Sequence, residues 1–184
     1  SQQQVSNCFL ITIQASSLYM HPEIVHIESK ILAGVCLPMS LTQNRTHELW
    51  ASFMPVRKSI LHSIDHLLYS VQVYDAQYFA AFDPAHPFVK WAAVEVTSLD
   101  HVVTGMQSII VPSGQYAVFH YKGLAGDPSI FQYIFGTWLP TSGYQLDQRP
   151  HFEILGPSYR NNDPASEEDI WIPVKPIQGN KTNN

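Results

Sequence analysis

Between Glu23 and Met39, apolar side chains fall at Ile24, Ile27, Ile31, Val35 and Leu37, interrupted by Gly34 and Pro38. This is a strand-like pattern rich in β-branched residues. The rhythm then changes. Leu49, Phe53, Ile60, Ile64 and Leu67 recur at helical spacing, with Trp50, Met54 and Leu61 widening the stripe. The spacing predicts a helix over Thr46–Leu68, kinked or divided at Pro55, which removes a backbone donor and clashes with the preceding turn. Tyr69–Tyr74 and Val89–Thr97 read as strands joined by the loop Asp75–Pro87.

The second half repeats this grammar. Met106–Val111 and Gln115–Tyr121 predict a hairpin around Pro112-Ser113-Gly114. A helix opens at Asp127-Pro128, an acidic N-cap followed by proline at the first helical position. Ile130, Phe131, Ile134, Phe135, Trp138 and Leu139 form its stripe, and Pro140 is expected to end it. His151–Leu155 and Ile170–Val174 complete the unit as strands. Strand, helix, strand, strand thus occurs twice, which predicts an α+β fold. Residues 1–19 read as an appendage of glutamines and serines around a brief apolar segment, 20–176 as the domain and 177–184 as a tail.

Alternation within the strands carries the functional signal. Where one sheet face lies under a helix, that face takes the aliphatic residues. Ala92, Val94 and Val96 would face the helices, leaving Trp91 and Glu95 on the other side. Phe152 and Ile154 would leave Glu153 opposite, and Ile170, Ile172 and Val174 would leave Trp171 opposite. Val71 and Val73 face the helices while Tyr74 does not. Large aromatics beside carboxylates suggest a concave binding surface, or aromatics packed against the other half. Aromatic faces attract cations, and a carboxylate in a water-poor pocket adds Coulombic attraction.

Composition narrows the classes. Hydrophobic residues make up 45% of the 184 and charged residues 14%, which describes a packed globular chain. The net charge of −5 and the lack of a basic stripe argue against direct nucleic-acid binding and mildly favour cationic ligands. Cys8 and Cys36 form no paired motif, no apolar run is long enough to span a membrane, and no leader pattern is present, so the cytoplasm is expected. Walker, GxGxxG and GxSxG patterns are absent, and no cofactor is expected. His62, Asp65 and His66 share helical spacing, but with no further ligand evident they read as a solvated face, not a metal site. Cys36 reads as a small buried hydrophobe and Glu167-Glu168-Asp169 as a solvated acidic run. Trp50 stays a cleft candidate because its neighbours already fill the helix stripe.

Four segments in order resemble the GyrI-like family, also met as the effector-binding domain of AraC-type and MerR-type multidrug-responsive regulators. They are Val111-Pro112-Ser113-Gly114-Gln115-Tyr116-Ala117-Val118, Phe135-Gly136-Thr137-Trp138-Leu139-Pro140, Arg149-Pro150-His151-Phe152-Glu153-Ile154 and Asp169-Ile170-Trp171-Ile172-Pro173-Val174. A looser match runs through Lys90-Trp91-Ala92-Ala93-Val94-Glu95-Val96, so the resemblance covers about 22–176. It implies two pseudo-twofold-related β-α-β-β units with an antiparallel sheet and a ligand cleft at their seam. It implies Glu153 as the carboxylate that meets cationic or polar ligand groups, and an aromatic in the last strand, here Trp171 where the family often has tyrosine. Ile154-Leu155 stands where the family often has an aromatic.

The leading expectation is a bacterial binding module in which Glu153, Trp171, Trp91 and Tyr74, with Glu95 as a second carboxylate, hold a hydrophobic cation. The alternatives are a hydrolase of electrophilic xenobiotics using Glu153 as general base or nucleophile, and a regulator whose open strand face docks a partner protein. No helix-turn-helix accompanies the module, so any DNA contact is expected from a partner.

Overall fold

The computed structural model describes residues 20–100 and 103–178; the expected appendage 1–19 and most of the expected tail lie outside the described residues. Among the described residues nine strands carry the fold: β1 (Glu23–Ile27), β2 (Lys30–Met39), β3 (Leu68–Val73), β4 (Phe88–Glu95), β5 (Gln107–Val111), β6 (Gly114–Lys122), β7 (Tyr144–Leu146), β8 (His151–Leu155) and β9 (Glu167–Pro176). All pairings are antiparallel, in the order β1-β6-β9-β8-β3-β4-β2-β5, with β7 on β9. The order is symmetric about the β3·β8 pair. β2, β4 and β3 of the first unit mirror β6, β9 and β8 of the second, as the repeated pattern implied.

The expected hairpin between β5 and β6 does not form a ladder. β5 pairs with β2 and β6 with β1, so each unit lends its first strand to the other. Ile27 and Lys30 are three residues apart yet sit toward opposite ends of the strand order. Three residues reach at most about 11 Å, so the sheet, open in its hydrogen bonding, curls strongly.

The long predicted helix is short. α1 (Thr46–Phe53) stops where Pro55 disfavours further α-helix, a single 3-10 turn follows at Arg57–Ser59, and residues 60–67 are irregular. His62 adopts a left-handed backbone, φ 66°, and Ser63 bridges to Val96. His62, Asp65 and His66 therefore do not share a helix face. The second helical stretch starts as expected: in α2 (Pro128–Tyr133) the Asp127 carboxylate caps the Ser129 amide at 2.9 Å. Pro140 does not end it. A π turn over Ile134–Trp138 widens the ladder around Gly136, where the Pro140 ring would otherwise strike a carbonyl, and the chain continues helically through Thr141.

Three cores result. Leu49 and Phe53 of α1 cover Ala33, Ala92 and Val94, while Ile130 and Ile134 cover Ala117, Phe119, Ile170 and Ile172. The third lies on the reverse face, where the curl encloses Tyr69, Val71, Trp91, Tyr116 and Phe152. Among the described residues, no helix is long and apolar enough to cross a membrane.

Candidate functional site

The two helices cover the outer strands of their own units, and between them the β3·β8 seam carries polar side chains. The register pairs Ser70 with Glu153 and Gln72 with His151, and Gln72 also lies opposite Lys90 of β4. Directly opposed residues share a face, so Ser70, Gln72, Lys90, His151 and Glu153 all lie on the helix side. Glu153 pairs with Ile170, which packs under α2; Glu168, two positions earlier in β9, points the same way.

Glu153 is 9% exposed, and its Oε2 accepts a 2.9 Å hydrogen bond from Gln72 Nε2. Burial pushes its carboxyl above the ordinary value, against the pull of the Lys90 charge and the Gln72 and Ser70 hydrogen bonds. Burial, then the Glu153 charge, raise Glu168 to about 7, with Lys90 opposing. The Tyr159 phenol is raised by burial and then by Glu168 and Glu153. Lys90 Nζ donates to Thr46 Oγ1 at 3.2 Å, which anchors the ammonium at the start of α1. The helix side of the seam thus holds, among the described residues, a half-dry carboxylate pair faced by the Lys90 cation.

Aromatic rings close one end of this strip. Tyr74 lies 4.3 Å from Tyr78, 5.3 Å from Phe88 and 4.9 Å from His151, centroid to centroid. Phe79, carried by the β3–β4 loop, stacks on His151 at 5.4 Å and meets Phe135 of the π turn at 5.1 Å. The loop of the first unit therefore reaches across onto the second. Burial and then the Arg149 charge lower His151 to about 3, so its ring is neutral near pH 7 and serves as another wall. The Tyr74 phenol is raised well above its usual value by burial first, then by Glu153 and Tyr78.

Of the residues singled out in the sequence, Glu153 and Tyr74 come together here. Trp171, Trp91 and Glu95 do not. Trp171 stacks on Phe152 at 5.3 Å and 15° in the reverse-face core, and Trp91, 8% exposed, packs in the same core. Glu95 accepts from Lys30 Nζ and from the Tyr69 hydroxyl, both at 3.0 Å, also on that face. The face assignments of β4 and β9 hold, but those of β3 and β8 are reversed. Val71, Phe152 and Ile154 turn to the reverse core, which leaves Glu153 among the helix-side residues. A hollow shared by Glu153 and Trp171 does not exist, and the strand face expected to be open to a partner is filled by its own aromatics. Trp50 meets Phe53 edge-on at 5.8 Å and is part of the packing under α1.

Lys90, Ser70 and Gln72 were not singled out, and Glu168, read as part of a solvated acidic run, is instead half-buried beside Glu153. Their sequence signal is phase: Glu168 is in step with Ile170 and Ile172, and Lys90 with Ala92 and Val94. Among the described residues, no group of three or more His, Cys, Asp or Glu side chains is arranged to hold a metal.

Residues 20–175 match the family described as GyrI-like small molecule binding domain. The transcriptional regulator BrlR of Pseudomonas aeruginosa is 29% identical over 160 residues, covering 84% of this chain; the match spans 56% of that regulator's length. Among solved structures, SAV2435 bound to tetraphenylphosphonium superposes with a TM-score of 0.62 at 15% identity, over 85% of this chain and 94% of that one. A Listeria innocua protein described as a hydrolase gives a TM-score of 0.55 at 12% identity, over 88% of this chain and 96% of that one.

Proposed function

The chain belongs to the GyrI-like small-molecule-binding family, and from that premise we propose that its β3·β8 seam binds a hydrophobic organic cation. Glu153 and Glu168 supply the counter-charge, and Tyr74, Tyr78 and Phe79 supply the aromatic wall. The observation that carries this reading is the burial of Glu153 beside a second carboxylate, with Lys90 the cation that faces them among the described residues. Two carboxylates in such surroundings retain protons that a cation would displace, so binding releases protons and tightens as pH rises through about 7. A regulator from Pseudomonas aeruginosa among the relatives and a phosphonium-bound protein of the same fold support a ligand-sensing role. The proposed role is one exercised in the cytoplasm.

Calorimetric titration with tetraphenylphosphonium at pH 6 and pH 8 tests the proposal. Wild type should bind more tightly at pH 8. Glu153→Gln should weaken binding about tenfold, the factor that a loss of roughly 1.4 kcal/mol produces. Unchanged affinity in that variant would remove Glu153 from the site.

A second reading is favoured by Glu153 being held toward its protonated form near the phenols of Tyr74 and Tyr159. A carboxyl in that state can act as a general acid or base in hydrolysis, and one protein of similar fold carries a hydrolase description. An electrophilic substrate should then bind Glu153→Gln as tightly as wild type and not be turned over.

A further inference from the structure

A cavity of about 580 Å³ opens where α1 ends, away from the seam and on the outer side of the first unit. Its floor is Val94, four residues beyond Lys90 on β4 and hence about 13 Å from Lys90 at strand spacing. Met54, Ile60 and Ile64 form apolar walls, with Arg57 and Lys58 beside them. Met54 and Ile64 are 44% and 52% exposed, so apolar surface faces the opening directly.

The walls are held in place. The Ile64 amide donates to the Glu95 carbonyl at 3.0 Å, and the Thr97 amide to the His62 carbonyl at 3.0 Å, tying the irregular segment to the end of β4. Arg57 Nη2 donates to the His66 carbonyl at 3.0 Å, which fixes the guanidinium over the opening. A guanidinium has five N–H groups, so one such bond leaves it with donors for a ligand. Asp65, the one acid in the lining among the described residues, accepts from the Leu67 amide through Oδ1 at 2.9 Å.

Charge and shape select a ligand class unlike that of the seam. Among the described residues, Arg57, held by the His66 carbonyl, and the exposed Lys58 stand against one acid in the lining, so the opening favours an anion, in a chain whose net charge is −5. The apolar lining is aliphatic and thioether, suited to a flexible alkyl chain; among the described residues no Phe, Tyr or Trp takes part. The volume lies within the roughly 300–1,000 Å³ of small-molecule sites. The geometry points to a second, independent binding site for a medium-chain aliphatic carboxylate. The alkyl chain lies on Val94, Ile60 and Ile64, and the carboxylate accepts from Arg57 in a forked pair beside Lys58.

Titration of the whole chain with decanoate below its micelle concentration, followed by calorimetry and by amide chemical shifts, tests the site. Decanoate should shift the amides of residues 57–66 and bind about tenfold more tightly than decanol. Arg57→Ala/Lys58→Ala should abolish that preference while leaving tetraphenylphosphonium affinity unchanged. Ile64→Trp, which fills the cavity, should weaken decanoate and decanol alike. Decanoate should bind equally well with and without saturating phosphonium, so failure of the seam reading would not disturb this result. Equal affinity for decanol, preference for decyltrimethylammonium, or shifts confined to the seam would each overturn the proposal, as would the absence of binding.

Discussion

Gln72 Nε2 donates to Glu153 Oε2 at 2.9 Å, a buried hydrogen bond from β3 of the first unit to β8 of the second. It ties the two units together at their axis and holds the carboxylate in place. Gln72→Leu removes the donor and leaves the carboxylate without that partner, a loss of about 1–3 kcal/mol. The loss should be larger at pH 8 than at pH 5, because a carboxylate gains more from the donor than the protonated carboxyl toward which burial pushes Glu153. Urea denaturation at the two pH values measures the difference; an equal loss at both would mean that the bond does not serve the carboxylate's charge.

Glu168 gives the fold a pH dependence opposite to that of ordinary surface acids. Its carboxyl is raised from 4.5 to about 7, so between those values the folded chain keeps a proton that the unfolded chain has released. Its contribution to stability is present in full below pH 4.5 and is lost as pH rises through about 7. Glu168→Gln should remove this trend and stabilise the protein at pH 8 by about 1 kcal/mol, after discounting for solvent screening. Denaturation midpoints at pH 5 and pH 8 decide it; a variant that retains the wild-type trend contradicts the assignment.

Much of this was legible in the chain and some was not. The helix-facing aliphatics of β4 and β9, the Asp127 cap and the twofold repeat follow from local rules. The periodic stripe at Ile60, Ile64 and Leu67 misleads, because Pro55 ends α1 and the later apolar residues reach irregular chain, with Ile64 52% exposed. The parity of β3 and β8 misleads for a different reason. The curled sheet is packed on both faces, so Phe152 is equally content on either side, and alternation cannot say which face holds it. Glu153 stood out as an acid in an apolar strand, yet its face depended on that parity. Glu168 looked like one of three solvated acids until the β6–β9 register placed it beside Tyr121 on the helix side.

His151 opposes Glu168. Burial holds its ring at about 3 against an ordinary 6.5, so as pH falls through 6.5 the unfolded chain takes up a proton that the folded chain refuses. Its stabilisation is present above pH 6.5 and is lost progressively toward about 3. His151→Phe keeps the ring contacts with Phe79 and Tyr74 and removes the titration. The variant should resist acid better than wild type, and in the window from 4.5 to 6.5 its stability should fall with rising pH because Glu168 then acts unopposed. Thermal unfolding at intervals across that window checks the slope; an unchanged acid midpoint would show that His151 is charged in the folded state.

The two sheet faces make separable demands on their aromatics. Trp91 and Trp171 belong to the reverse core, whereas Tyr74 stands near Glu153 on the helix side. Trp91→Leu and Trp171→Leu should each cost about 2 kcal/mol of stability through lost packing, while tetraphenylphosphonium affinity, measured on the folded protein, stays within about twofold of wild type. Tyr74→Leu should also lose stability, because its ring packs on Phe88, but it should weaken the phosphonium about fivefold, corresponding to a cation–π contribution of roughly 1 kcal/mol. The decisive comparison is affinity, since all three changes disturb a core. A ligand lost by Trp171→Leu and retained by Tyr74→Leu would move the binding surface to the reverse face and leave Glu153 and Glu168 as a structural pair.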